Sequence, residues 1–128
     1  MKFYIAGKFS RQQEFKVVRN KLEEAGHKVT SRWLDEVSPD VITDYFQETT
    51  AAIDLEDISS AHAMIFFSEE PPSPPRGGRH VEFGYALAER LPIYVIGPKE
   101  NVFHYTPDYF GIVRHFKTLE EVIDAVAH

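Results

Sequence analysis

Ala61-His62-Ala63-Met64-Ile65-Phe66-Phe67 is a short, almost wholly apolar run, and the segment behind it, Ser68 to Arg79, holds four prolines and two glycines. An apolar run of this length bounded by breakers reads as a strand buried on both faces. The Pro- and Gly-rich segment excludes regular structure. Beyond it the pattern predicts a helix from His80 to Arg90, stopped by Leu91-Pro92, and then a further buried strand, Ile93-Tyr94-Val95-Ile96. Strand, loop, helix, strand is the repeating unit of a parallel sheet. Open sheets of that kind hold their ligands beyond the carboxyl ends of the strands. The loop before His80 is therefore the first place to look for a site.

The alternation continues in both directions. Lys2 to Ala6 reads as a first strand ending at Gly7. Gly7-Lys8-Phe9-Ser10 turns the chain, and Ser10 is the expected N-cap of a helix carrying Phe15, Val18, Leu22 and Ala25 at helical spacing. Gly26 ends that helix. His27 to Trp33 reads as the second strand and Leu34 to Pro39 as loop. Ser38 or Asp40 is the expected cap of a helix that carries Tyr45, Phe46, Ala52, Ile53 and Ile58. Gly97 to Phe110 is a second long aromatic loop, Ile112 to Phe116 a last short strand, and Thr118-x-x-Glu121 a capping box. The expectation is an α/β three-layer sandwich with a five-stranded parallel sheet, flavodoxin-like or Rossmann-like. Residues 1–128 read as one domain, with no internal repeat and no linker.

Composition limits the function. The chain has 128 residues, 43% of them hydrophobic, and a formal charge of −6. An acidic surface argues against binding a nucleic-acid polymer. No cysteine is present, so disulfides, thiolate catalysis and cysteine-based metal sites are excluded. The six histidines form no His-Glu-x-x-His pattern, and no metal or dissociable cofactor is expected. No apolar run is long enough to span a membrane, and no signal-peptide pattern opens the chain, so a cytoplasmic location is expected.

The chemistry candidates cluster around the two ligand-side loops. Glu82 falls in the expected first turn of its helix, where the dipole and free N–H groups favour an ionised carboxylate. Such a carboxylate can attack an anomeric carbon, although glutamate is also an ordinary first-turn residue. Gly77 and Gly78 let backbone approach a ligand. Asp54 can bind a nucleobase or protonate a leaving one, or simply belong to a solvated face with Glu56 and Asp57. Tyr4 and Phe9 can contact a flat base; Phe9, in a turn, is the harder one to place in a core. Lys8, Arg76 and Arg79 are cations that can meet a phosphate or hydroxyl.

Tyr4-Ile5-Ala6-Gly7-Lys8-Phe9-Ser10, Asp54-Leu55 before a buried strand, and Gly78-x-x-x-Glu82-x-Gly84-Tyr85-Ala86 together resemble the nucleoside 2-deoxyribosyltransferases and the related nucleoside 5′-monophosphate N-glycosidases. The last block is similar to the family's Glu-Leu-Gly-Tyr-Ala signature, with Phe83 for leucine. The resemblance implies that Glu82 is a nucleophile forming a glycosyl-enzyme and that Asp54 assists the base. It implies that Phe9 lines the base pocket and that Asn101 reaches the 5′-hydroxyl of a neighbouring subunit's substrate. A homo-oligomer with shared sites is implied with it, acting on a small nucleoside or nucleotide and a free nucleobase. Six residues before Glu82 stands Arg76, where the transferases usually have aspartate and the hydrolases serine. Three readings follow: a transferase, a monophosphate N-glycosidase, and a nucleotide-binding module without turnover.

Overall fold

The computed structural model describes residues 1–71, 77–107 and 112–127. Five strands, β1 (Lys2–Ala6), β2 (Lys28–Val29), β3 (Ala63–Phe67), β4 (Ile93–Ile96) and β5 (Val113–Phe116), form one parallel sheet. The helices α1 (Gln12–Glu24), α2 (Asp44–Ser59), α3 (Gly78–Ala88) and α4 (Leu119–Val126) connect them and cover both faces. The strand order is β2-β1-β3-β4-β5, the flavodoxin-like order. The chain runs outward in one direction from β1 to β2 and in the other from β3 to β5. The switch between β1 and β3 opens a crevice at the carboxyl ends of those strands.

The central strands are continuous apolar runs because both of their faces are covered. Every residue of β3 and β4 is buried, as are the last four of β1. Phe66 packs edge-on to Phe83 of α3, and Phe15 of α1 lies against Phe67. Side chains of this size each contribute about 1.5–3 kcal/mol when fully buried. Gly7 closes β1 against the same cluster: a Cβ there would stand 2.5 Å from two ring carbons of Phe15. The turn that follows β1 is thereby held tight to the sheet.

Several boundaries differ from the sequence reading, each for a local reason. The second strand shrinks to Lys28–Val29, and Arg32–Asp35 is a 3-10 turn. Beyond Thr30, whose N–H still donates to the Phe3 carbonyl, the edge of β1 is satisfied by side chains instead of a ladder. Ser31 Oγ accepts from the Ile5 N–H at 2.6 Å, and Trp33 Nε1 donates to the Ile5 carbonyl at 2.8 Å. Asp57 of α2 accepts from both Arg32 N and Arg32 Nε, which pulls the chain off the sheet. Ser10 caps nothing: Phe9–Arg11 form a 3-10 turn, and α1 starts at Gln12 without a side-chain cap. The cap of α2 is Thr43, whose Oγ1 accepts from Phe46 N, in place of Ser38 or Asp40. The loop after β4 contains a 3-10 turn, Val102–Tyr105, capped by Asn101. Thr118 caps α4 as expected, its Oγ1 accepting from Glu121 N at 3.2 Å, but the Glu121 carboxylate accepts from the Thr118 hydroxyl and so does not complete the reciprocal box.

Candidate active site

A cleft of about 360 Å³ lies at the carboxyl ends of β1, β2 and β3. That is the size of a small-molecule site. Gly7, Lys8, Phe9 and Ser10 enter it from the turn after β1, and Trp33 and Glu36 from the turn after β2. Thr50 and Asp54 come from α2, and Gly77, Gly78, Arg79 and Glu82 from the start of α3. Of the residues singled out in the sequence, Gly7, Lys8, Phe9, Asp54, Gly78, Arg79 and Glu82 therefore share one cavity. Arg76 lies outside the described residues.

Glu82 is the floor of the cleft, but its helix starts earlier than expected. Gly77, with φ of +75°, is the N-cap, and Gly78 is the first helical residue, so Glu82 is the fifth. It stands in the second turn, beyond the free N–H groups. Its protonation is governed by other forces. Burial is the largest and, with the nearby Asp54 charge, pushes the carboxyl up to about 8, while a hydrogen bond from Tyr4 opposes them. The expectation that the helix start keeps Glu82 anionic is thus corrected: desolvation makes it hold its proton.

Tyr4 corrects a second expectation. Its ring is 0% exposed and sits in the core beneath the cleft. The Tyr4 hydroxyl donates to Glu82 Oε2. Burial and the nearby carboxylates of Glu82 and Asp54 raise the phenol's pKa, so it remains a donor. Tyr4 therefore lies beneath Glu82, hydrogen-bonded to it, and does not line the cleft. Phe9 behaves as expected of a cleft residue: it is 47% exposed and tilts over Trp33, with ring centroids 6.1 Å apart. Phe9 is the more exposed of the two rings and gives the cleft an apolar side, with Trp33 largely buried behind it.

Asp54 reaches the cavity from α2. Burial first, then the charges of Glu36 and Asp57, push its carboxyl up to about 7, against a smaller opposing pull from Arg32. Its Oδ1 is buried with no hydrogen-bond partner among the described residues. An oxygen buried without a partner favours the protonated, neutral carboxyl over the charged one. Glu36 and Thr50 are site residues that the sequence reading missed. Gln12 Nε2 donates to the Trp33 and Glu36 carbonyls and fixes the turn, and Thr50 Oγ1 donates to Glu36 Oε1 at 3.0 Å. The available signal was the Thr50–Asp54 spacing, one helical turn, together with the rule that loops after strands carry sites.

Arg79 is not a free cation. It is 7% exposed and tied to Glu100 Oε2 through Nη2 at 2.7 Å. Removing either partner would strand a buried charge. Glu100 also accepts from Glu69 N, and His104 Nδ1 accepts from Glu100 N. Asn101 is placed outside the cleft of its own chain: its Oδ1 accepts from Phe103 N, so its Nδ2 faces His80 Nδ1 at 3.0 Å. His80, Glu100 and His104 are close enough together to hold a metal ion. The hydrogen bonds oppose it. Both imidazoles use Nδ1 as acceptor, so each neutral ring carries its proton on Nε2. Burial lowers both histidines, His104 to about 4, which keeps them neutral. The Arg79 guanidinium already occupies the Glu100 carboxylate, and His104 Nε2 is buried without a hydrogen-bond partner among the described residues, where a cation needs lone pairs.

Among solved structures, the chain is similar to a 2-deoxyribosyltransferase from Bacillus psychrosaccharolyticus. That match has 16% identity and a TM-score of 0.73 over 97% of this chain and 91% of the other. It is similar to the CMP N-glycosidase BcmB from Clostridium botulinum at 19% identity, with a TM-score of 0.61 over 99% and 98% of the two chains. BlsM matches at 22% identity, with a TM-score of 0.64 over 96% and 85%. At these identities the likeness establishes the fold, a five-stranded parallel α/β sandwich of the kind found in 2-deoxyribosyltransferases. No protein-family model matches the chain, and no curated protein matches it. No helix among the described residues is long and apolar enough to cross a membrane.

Proposed function

We propose that this protein cleaves the N-glycosidic bond of a (2′-deoxy)nucleoside and transfers the sugar to another nucleobase, with Glu82 as nucleophile. The observation that carries the reading is the trio on the cleft floor: Glu82 held by the Tyr4 hydroxyl, with Asp54 close enough to alter its charge. In the first step a Glu82 carboxylate oxygen bonds to C1′ and the C1′–N bond breaks. The bonding pair leaves with the base, and the Asp54 carboxyl gives its proton to a base nitrogen. In the second step a ring nitrogen of the incoming base bonds to C1′. Its proton returns to Asp54, and the Glu82 carboxylate is released. Two displacements retain the anomeric configuration. The fold neighbours whose names describe glycosyl transfer and N-glycoside hydrolysis are consistent with this chemistry.

A second reading gives water the second step and a nucleoside 5′-monophosphate the substrate role. It is favoured by the start of α3, which opens on the cleft through Gly77 and Gly78 without a side-chain cap and so offers unpaired N–H groups to an anion. Against it, Arg79 is already neutralised by Glu100, and three carboxylates face the same cavity. Incubating purine deoxynucleosides and their monophosphates with a different free base, then separating products by chromatography, tests both. The new nucleoside is the expected product. Free base and sugar phosphate from the monophosphate alone would replace the first reading with the second. Ligand binding with no base released from any substrate would leave only a binding module.

The same reading includes a homo-oligomer. Tyr45 is 77% exposed beside exposed Val41 and Ile42, and Phe103 is 63% exposed beside Asn101. Apolar groups of this extent favour a covered face. Sedimentation at micromolar concentration is expected to give a dimer or larger species. A monomer would remove both the oligomer and the role of Asn101 at a neighbouring cleft.

A further inference from the structure

We propose that Glu100 is a positioning residue for Glu82: through the guanidinium of Arg79 it fixes the first turn of α3, and with it the reach of the Glu82 carboxyl into the cleft. The inference rests on the glycosyl-transfer reading and adds to it a residue outside the cleft. The start of α3 carries few anchors of its own. Its N-cap is Gly77, with no side-chain cap, and a Cβ at Gly77 or Gly78 would meet nothing within 4 Å. Among the described residues, the side-chain hydrogen bonds of residues 78–81 come from two consecutive residues, Arg79 and His80. They reach two consecutive residues of the loop after β4, Glu100 and Asn101. Arg79 Nη2 donates to Glu100 Oε2 at 2.7 Å and Nε to Oε1 at 3.4 Å. Asn101 Nδ2 stands 3.0 Å from His80 Nδ1. Arg79 and Glu82 are three residues apart and both line the cleft, so any rotation of α3 at Arg79 carries Glu82 with it. Tyr4 sets the tip of the Glu82 side chain; Glu100 sets the backbone from which it hangs.

Glu100 is itself held from behind. Its side chain is 5% exposed, that of Arg79 is 6% exposed, and Glu100 is not among the residues that line the cleft. Its Oε1 also accepts from Glu69 N, in the loop after β3, at 3.2 Å, and its own N–H donates to His104 Nδ1 at 3.1 Å. His104 is wholly buried against Phe66 of β3 and Phe83 of α3. Glu69 in turn accepts from Arg11 Nη1, just beyond the turn that carries Gly7 to Ser10 into the cleft. The clasp thus ties two walls of the cleft to the loops after β3 and β4. Stability does not account for it, because apolar side chains of similar volume serve a buried site as well as an ion pair does. An apolar pair lacks the planar fork of a guanidinium on a carboxylate, which fixes distance and angle together. That precision matters at a reacting centre, where a misplacement of about 1 Å costs about 10²-fold in rate.

The test keeps both charges and changes only how they meet. Glu100→Asp draws the carboxylate back by one methylene, and Arg79→Lys exchanges the fork for a point charge. Each is expected to lower kcat for base exchange on a purine deoxynucleoside by at least about tenfold, with KM within about threefold of wild type. An unchanged kcat in either variant overturns the proposal, since compensation of charge would then be the whole role of the pair. A raised KM in Arg79→Lys that Glu100→Asp does not share also overturns it, by assigning Arg79 to direct contact with substrate. Should Glu100→Asp not fold, Arg79→Lys decides by the same two criteria. Hydrogen exchange reads the clasp without turnover. In Glu100→Asp the amides of residues 81–84 are expected to exchange at least about tenfold faster, while those of Met64–Phe67 in β3 keep their wild-type rates. Equal acceleration in both segments, or none in either, overturns the proposal. If wild type releases base from no nucleoside, the glycosyl-transfer reading fails, and the exchange rates alone decide whether Glu100 sets the turn that carries Glu82.

Discussion

Glu82→Gln is expected to lower base exchange by about 10⁴-fold or more, the scale on which removal of a covalent nucleophile acts. The substitution is nearly isosteric, and the Gln carbonyl still accepts from the Tyr4 hydroxyl, so the cleft survives. What is lost is the oxygen that bonds to C1′. Intact-mass measurement of wild type quenched during turnover is expected to show a deoxyribosyl adduct that Glu82→Gln lacks. An adduct that persists in the variant would move the nucleophile elsewhere. The variant also has a stability signature. In the native protein the Glu82 carboxyl is pushed up to about 8, above its ordinary value. Between those two values the unfolded chain has lost a proton that the native state retains. Native stability therefore falls as pH rises through that window and levels off above it. Glu82→Gln removes this loss, so its melting temperature is expected to exceed that of wild type by more at pH 8 than at pH 5. A gain independent of pH would mean that Glu82 is not desolvated as its surroundings imply.

That signature bears on what could be read in advance. The order of strands and helices was legible because β1, β3 and β4 are buried on both faces and so appear as unbroken apolar runs. The second strand was over-extended because Ser31 and Trp33 have ordinary strand character. Only in three dimensions do their side chains replace the ladder on Ile5. That Gly7, Phe9, Gly78 and Glu82 would line one cleft was legible because a parallel sheet opens its crevice after β1 and β3. Glu36 was not: it sits in a polar stretch after a two-residue strand, and its place depends on Gln12 and Thr50, distant in sequence. The ionisation of Glu82 was misjudged because the helix boundary was set by a left-handed Gly77, two residues earlier than propensity indicated. Burial, which no local pattern reports, then dominated the charge.

Asp54→Asn is the complementary experiment, and its expected signature is a change in the shape of the pH profile as well as in rate. The reacting state needs Glu82 without its proton and Asp54 with one. Glu82 faces Tyr4 from β1 and Asp54 from α2; Asp54 faces Glu36, Asp57 and Arg32. With Glu82 near 8 and Asp54 near 7, the pair holds one proton chiefly between those values. Wild-type kcat/KM is accordingly expected to be bell-shaped, with its maximum between pH 7 and 8. The productive arrangement is the less populated of the two singly protonated forms, because the proton prefers Glu82. Asn cannot donate an acidic proton to the leaving base, and the expected loss is about 10²–10⁴-fold. The alkaline limb should vanish with the group that caused it. The acid limb should then report Glu82 alone and should not move to lower pH, since Asp54 already carries no charge in the doubly protonated state from which that limb starts. A substrate whose base departs without protonation should suffer far less from the substitution. An equal loss on both kinds of substrate, or a bell that survives in Asp54→Asn, would show that the proton comes from another group, and Glu36, lining the same cavity, is the next to replace.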